Sequence, residues 1–263
     1  MSGKQPGLTL SVGDQIAGFR VEQVDDLAEL QAWGVLGLHE SSGARAYHIV
    51  RDDPENVFAF SFRTLPANSN GIAHILEHTV LCGSERYPVK DPFIQLARGS
   101  MNTFLNAMTY PDKTVYPAAS PVRQDLFNLM SVYGDAVFFP LLREEAFRQE
   151  GHRLEPASSG SLQRAGIVFN EMKGNYATED NAVGELAQQK LLPDTAYGVD
   201  SGGDPRVIPT LTYDEFVAFH RRNYHPSNCL IYLYGDIPTA DYFQFLHDQF
   251  LSRFQRRPQD SAE

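Results

Sequence analysis

Four short runs near the start of the chain carry their apolar residues in the manner of strands: Phe19-Arg20-Val21, Val35-Leu36-Gly37-Leu38-His39, Ala46-Tyr47-His48-Ile49-Val50 and Val57-Phe58-Ala59-Phe60-Ser61-Phe62. β-Branched and aromatic side chains dominate them, and Asp52-Asp53-Pro54 reads as the turn between the last two, so a meander or hairpin is predicted. From Gly71 the period changes. Ile72, Ile75, Leu76, Thr79 and Val80 recur at helical spacing with Gly83 as a stop signal, and Asp91-Pro92 starts a second helix through Leu96. Residues 102–109 read as extended and pass through Tyr110-Pro111-Asp112 into Thr114-Val115-Tyr116, a second hairpin.

Ser120-Pro121 predicts an N-cap followed by proline at the first helical position, and Leu126, Leu129, Met130, Tyr133, Ala136 and Val137 sustain a long helix behind it. A polar loop is predicted over 156–164, then helices over 167–176 and 183–192. Thr212, with Glu215 three residues on, has the capping-box pattern and opens a helix to Asn223. Residues 229–234 form an apolar strand and 239–254 a last helix. No internal repeat interrupts this order, which predicts an α+β fold: a two-layer sandwich of a mostly antiparallel sheet and helices. One compact domain is expected over 15–255, between a flexible arm at 1–14 and a polar tail at 256–263.

Composition narrows the partners. The 263 residues suffice for a full core, and no apolar stretch is long enough for a membrane span. Lys plus Arg is 22 against 33 Asp plus Glu, a net charge of −11 that opposes nucleic acid and anionic lipid and favours cationic partners. Cys82 and Cys229 are too few for a disulfide framework or a cysteine zinc site, and each reads as packing. The first residues lack the patterns of a signal or transit peptide, so a cytoplasmic location is expected.

Chemistry concentrates in Gly71-Ile72-Ala73-His74-Ile75-Leu76-Glu77-His78. On a helix, His74 and His78 project from one face with Cβ atoms about 5–6 Å apart, close enough to share a metal ion. Glu77 lies beside that ion without ligating it, placed to take a proton from water the metal activates. The order His-x-x-Glu-His is the inverse of the commoner zinc-protease helix. The alternative is a pair of ordinary polar helix residues bonded to backbone. A catalytic zinc takes three protein ligands and keeps one position open. Glu171, in Ile167-Val168-Phe169-Asn170-Glu171-Met172-Lys173-Gly174, is a candidate third ligand, or else a helix-entry carboxylate held by the macrodipole.

Five separated blocks carry a wider resemblance. Residues 64–93, centred on His74-Ile75-Leu76-Glu77-His78, together with 99–114, 168–174, 197–205 and 224–228, resemble in order the presequence proteases of the pitrilysin and insulinase superfamily. The match runs from about residue 15 to 250. The resemblance implies a metallohydrolase domain like those of pitrilysin and the mitochondrial processing peptidases, with His74, His78 and Glu171 binding Zn2+ and Glu77 as general base. The interval of 93 residues between His78 and Glu171 resembles the presequence-protease branch, with the extra length expected as a surface loop near 156–164. In that family the strand equivalent to Leu105-Asn106-Ala107-Met108-Thr109 is an edge that receives the peptide by strand addition. Asn106 and Ala107 would hold the substrate main chain, and Met108 stands where the family usually has Phe. As a simple turn residue, Asn106 would instead satisfy its own backbone.

The family's members are much longer, with four related domains forming two halves around a chamber, and this chain resembles the first domain. The function implied is a zinc metalloendopeptidase domain degrading short unstructured, cationic peptides together with the remaining domains of a parent chain. The alternative is a catalytically weak fragment or a non-catalytic scaffold member of the superfamily; the intact His74, Glu77, His78 and Glu171 argue against the latter.

Overall fold

A computed structural model describes residues 7–90, 92–158 and 160–257. The start of the expected arm, the end of the expected tail and Asp91, the predicted start of the second helix, lie outside the described residues. In chain order the elements are β1 (Gln15–Ile16), β2 (Phe19–Leu27), β3 (Ala32–His39), β4 (Arg45–Val50), β5 (Asn56–Arg63), α1 (Ile72–Val80) and α2 (Pro92–Gly99). Then follow β6 (Phe104–Leu105), β7 (Met108–Thr109), β8 (Lys113–Ser120), α3 (Arg123–Phe138), α4 (Glu144–Glu150), β9 (Arg153–Pro156) and β10 (Leu162–Ala165). The chain continues with α5 (Ile167–Asn175), α6 (Glu179–Leu191), α7 (Tyr213–Asn223), β11 (Cys229–Gly235) and α8 (Thr239–Gln249).

The main sheet runs β1-β2-β3-β4-β11-β5-β8-β6, with β7 also on β8, so β6 and β7 share one outer edge. All its pairs are antiparallel except β4 with β11. Because side chains alternate across a strand, Phe58, Phe60 and Phe62 of β5 all enter the same layer. There Phe58 meets Tyr133 and Phe60 meets Phe138 of α3, while Phe62 stacks on Tyr224 with ring centroids 4.5 Å apart. The three phenylalanines are fully buried, whereas on the opposite face Val57 and Ser61 are only partly so and the small Ala59 is covered. One face of the sheet therefore carries the core under the helices, as the α+β reading expects.

The predicted hairpin of β4 and β5 does not form. β11 lies between them, parallel to β4 and antiparallel to β5. Asn56 holds the far end of this insertion: its amide nitrogen donates to Asp236, and its carbonyl oxygen accepts from the Ile237 N–H and the Tyr242 hydroxyl. Gly235 sits against it at φ 123°, where a Cβ would fall 2.1 Å from the Asn56 oxygen, so no larger residue fits.

Other boundaries shift for local reasons. Ser120 ends β8, with its hydroxyl accepting from the Val122 N–H, and α3 begins only at Arg123. The predicted polar loop is part of a hairpin of β9 and β10, and α4 precedes it unpredicted. The last helix stops at Gln249 and continues as a 3-10 turn over Leu251–Arg253. The Thr212–Glu215 capping box forms in full.

His220 of α7 donates from Nε2 to the Val137 carbonyl at 2.9 Å. Burial pushes its pKa down to about 4, only partly offset by that bond. The unfolded chain takes up this proton near pH 6.5 and the folded one near pH 4, so the unfolded state binds more protons in between. Stability should fall as pH drops through that window, by up to ~1.4 kcal/mol per pH unit from this residue. Urea unfolding of the metal-free protein should show a shallower pH dependence in His220→Gln; an unchanged slope would place the acid sensitivity elsewhere.

Candidate metal centre

The site is built on α1. The helix opens after Gly71 in a left-handed conformation at φ 71°, and the Asn70 side-chain oxygen accepts the Ile72 N–H at 3.1 Å. Helical spacing then brings the His74 and His78 rings to a centroid distance of 5.0 Å. Glu171, projecting from α5, faces both. Its Oε2 lies 3.7 Å from His74 Nε2 and 3.9 Å from His78 Nε2.

The other nitrogen of each ring is already committed. His74 Nδ1 lies 3.0 Å from the Gly202 carbonyl oxygen, and His78 Nδ1 lies 3.1 Å from Oε2 of Glu150. A carbonyl oxygen and a carboxylate can only accept, so both Nδ1 atoms carry protons, and in the neutral rings it is the Nε2 atoms that present lone pairs towards Glu171. Burial alone would lower the His78 pKa, but the Glu150 hydrogen bond and the charges of Glu77, Glu150 and Glu171 outweigh it and raise the value. Glu150 is buried, which by itself raises its pKa, yet its bonds to His78 and Gln149 hold it below the ordinary carboxylate range. It stays an anion.

These donors fit a metal ion. Ligand atoms about 2.0–2.1 Å from a tetrahedral zinc stand roughly 3.3 Å apart, and the three candidate ligand atoms lie within 4.8 Å of one another. Two imidazoles and one carboxylate suit zinc and leave a fourth direction open. The rings are fixed from behind, as ligating histidines commonly are.

The Gly202 carbonyl is itself held. Asp200 Oδ1 accepts the Gly202 N–H at 2.8 Å, its Oδ2 accepts the Tyr176 hydroxyl at 2.7 Å, and its own N–H donates to Ser69. A Cβ on Gly71 would come within 3.0 Å of the Gly202 oxygen, so the close approach of loop to helix rests on glycine.

Beside these three side chains, Glu77 is buried and its Oε2 accepts the Thr109 hydroxyl at 2.6 Å. Thr109 belongs to the outer edge of the sheet. Pairings of Leu105 with Ala118 and of Met108 with Val115 show that β6 and β7 keep one register on β8, but the ladder lapses at Asn106 and Ala107. Opposite Asn106 stands Pro117, which has no N–H to give. The Asn106 N–H still donates to the Pro117 carbonyl, and the Asn106 carbonyl takes its bond from the Tyr133 hydroxyl at 3.2 Å. A cleft of about 520 Å³ runs between this edge and α1, lined by His74, Glu77, His78, Asn106, Ala107, Met108, Thr109, Tyr110, Glu171 and Gly202. A more apolar hollow of about 450 Å³ adjoins it at Glu77, His78, Asn106 and Ala107 and extends over Leu81, Phe93 and Ile94.

Of the residues singled out in the sequence, His74, Glu77, His78, Glu171, Asn106, Ala107 and Met108 converge on the cleft; Leu105 instead packs against the core. Glu150, Gly202 and Thr109 were not singled out individually. Gly202 and Thr109 lie within the resembling blocks, while Glu150 had no signal beyond being a charge at a helix end.

Residues 63–161 match the family Insulinase (Peptidase family M16), and residues 210–262 match Peptidase M16 inactive domain. Protein HypA of Clostridium perfringens is 46% identical over 248 residues, 93% of this chain and 26% of that protein. The mitochondrial presequence protease of Mus musculus is 45% identical over 259 residues, 97% of this chain and 25% of that protein. Presequence protease 1, chloroplastic/mitochondrial, of Arabidopsis thaliana is 46% identical over 93% of this chain and 23% of its own length. The crystal structure of pitrilysin superposes with a TM-score of 0.71 at 19% identity over 94% of this chain and 26% of that one, which shows the same fold. The chain belongs to the insulinase family of peptidases, M16. Within it, the chain is a presequence-protease-like domain, spanning about a quarter of the length of the curated relatives it matches.

The Tyr133–Asn106 bond is testable without any ligand. Tyr133→Phe should lower stability by about 1 kcal/mol and speed amide exchange at residues 106–109; unchanged exchange there would show that the bond does not hold the edge in place.

Proposed function

We propose that this domain is the catalytic part of a zinc-dependent endopeptidase that cuts short, unstructured peptides. The observation that carries the reading is the convergence of two Nε2 lone pairs and one carboxylate beside a buried glutamate, in a cleft bounded by an open strand edge. His74, His78 and Glu171 would hold the ion. When bound, zinc polarises the scissile carbonyl and makes water acidic enough to attack it.

The chain's own residues do the rest. Glu77 takes a proton at its carboxylate and returns it to the departing amine nitrogen, which a carboxylate near the ion can do in both directions. Glu150 and the Gly202 carbonyl keep the two imidazoles turned so that Nε2 faces inward. Along the edge, Asn106 and Tyr110 direct their N–H groups to β8. By the alternation of an antiparallel ladder, Ala107 and Thr109 turn their main-chain groups outward; the Ala107 N–H donates to the Asn106 side-chain oxygen at 3.0 Å and would exchange that bond for one to an added strand, while the Ala107 carbonyl and the Thr109 groups would pair with it directly. An extended peptide seated there would lie across the metal centre. The overall charge of −11 and the clustered Glu77, Glu150 and Glu171 favour cationic peptides.

Among the described residues lining the cleft there is no arginine or lysine. Donors for the developing oxyanion are therefore assigned to the remaining domains of a longer protein, and losing one such donor costs about 10²–10³ in rate. This stretch alone should hydrolyse peptides weakly. No described helix is long and apolar enough to cross a membrane.

Elemental analysis should find one zinc per chain, lost in the His74→Ala, His78→Ala double variant; full occupancy in that variant would refute the ligand set. Glu150→Gln should raise the zinc Kd by about 10–100-fold in chelator competition. In the protein at its natural length, Glu77→Gln should keep zinc and lose turnover of a fluorogenic peptide by orders of magnitude. Retained turnover at full zinc content would remove Glu77 from the role of base.

A further inference from the structure

Thr109 faces two ways. Its side chain donates to Oε2 of Glu77, the candidate base, at 2.6 Å. Its backbone belongs to β7, opposite Thr114 of β8. Tyr110 next to it is an inward-bonded position, since its N–H donates to the Lys113 carbonyl at 2.8 Å and those two residues stand directly opposite. Thr109 is thus an outward position, with its N–H and carbonyl turned to the open edge. We propose that Thr109 is a positioning residue that ties the peptide-docking edge to the general base, holding the Glu77 carboxylate in its productive orientation.

The proposal rests on the peptidase reading above, and three features support it. Glu77 is almost fully buried, so the rotamer of its carboxylate is set by protein contacts rather than by water. A hydroxyl that donates to Oε2 fixes the carboxylate plane and leaves Oε1 the freer oxygen to accept a proton. The donor itself cannot drift, because the strand on either side of Thr109 is pinned: Tyr110 N–H to the Lys113 carbonyl, and the Asn106 carbonyl to the Tyr133 hydroxyl of α3. A peptide that pairs with the outward groups of Thr109 stiffens the residue whose side chain orients the base. Substrate seating and base alignment then become one event. Proton transfer demands such alignment, and displacement of a reacting group by about 1 Å can cost about 10²-fold in rate.

The test compares Thr109→Val, which keeps shape and β-branching but removes the hydroxyl, with Thr109→Ser, which keeps the hydroxyl. Both are made in the protein at its natural length, with zinc content and melting temperature measured alongside kcat and KM for a fluorogenic peptide, and with Glu77→Gln as reference. The expected result is a kcat about tenfold or more lower in Thr109→Val, with KM within twofold, zinc content unchanged and most of the rate restored in Thr109→Ser. In a Glu77→Gln background, Thr109→Val should have no further effect on the residual rate. A Thr109→Val kcat within twofold of the parent, while Glu77→Gln is inactive, would overturn the role of Thr109 and leave the peptidase reading standing. A change confined to KM would also overturn it, making Thr109 a substrate contact only. Loss of rate in Thr109→Ser equal to that in Thr109→Val would show that shape and not the hydroxyl matters. No zinc-dependent hydrolysis by the parent, or full activity in Glu77→Gln, would overturn both readings together.

Discussion

Everything at the candidate centre depends on the commitment of two Nδ1 protons. An imidazole on an open helix face can rotate and can exchange tautomers, and neither nitrogen is then a dependable ligand. Here the Gly202 carbonyl and the Glu150 carboxylate each accept one Nδ1 proton, and both are rigid acceptors. The carbonyl is rigid because Asp200 gathers its loop, and the carboxylate because it is buried among His78, Gln149 and Cys82. The orientation of the two rings follows from those second contacts as much as from the His-x-x-Glu-His order itself.

The electrostatics point the same way. Glu150 is an anion kept in place by a histidine, and that histidine is made more basic by three neighbouring carboxylates. Without a cation the cluster concentrates negative charge on one small patch of a chain already at −11. Burying an ionised group costs several kcal/mol unless it is paired, and the His78 bond supplies that pairing for Glu150, while Glu171 stays half exposed to water.

The sheet edge solves a different problem. An open edge invites unwanted pairing, and here it is short, broken opposite Pro117 and stapled to α3 by Tyr133. What remains available are the outward main-chain groups of Thr109 and the Ala107 carbonyl, since the Ala107 N–H bonds the Asn106 side chain. The same irregularity that shortens the strand lets Ala107 and Asn106 border both the polar cleft and the apolar hollow, so the two meet at the strand edge.

Local order was legible in the sequence because its causes are local. The helix bearing His74, Glu77 and His78 follows from apolar spacing, and the capping box of Thr212 and Glu215 from two side chains and two N–H groups three residues apart. The family followed from blocks of contiguous residues. Chain neighbours could not reveal that β11 separates β4 from β5, because the residues that decide it, such as Asn56 and Tyr242, are 186 positions apart. The same holds for Glu150, Gly202 and Thr109, which reach the helix across 72, 128 and 32 residues. The two imidazoles and the glutamate beside them are thus determined by the sequence of one helix turn, whereas which nitrogens face Glu171 and how Glu77 is held are decided only when distant segments pack. A hydrogen bond has a direction in space, and sequence spacing carries that direction only within a single element.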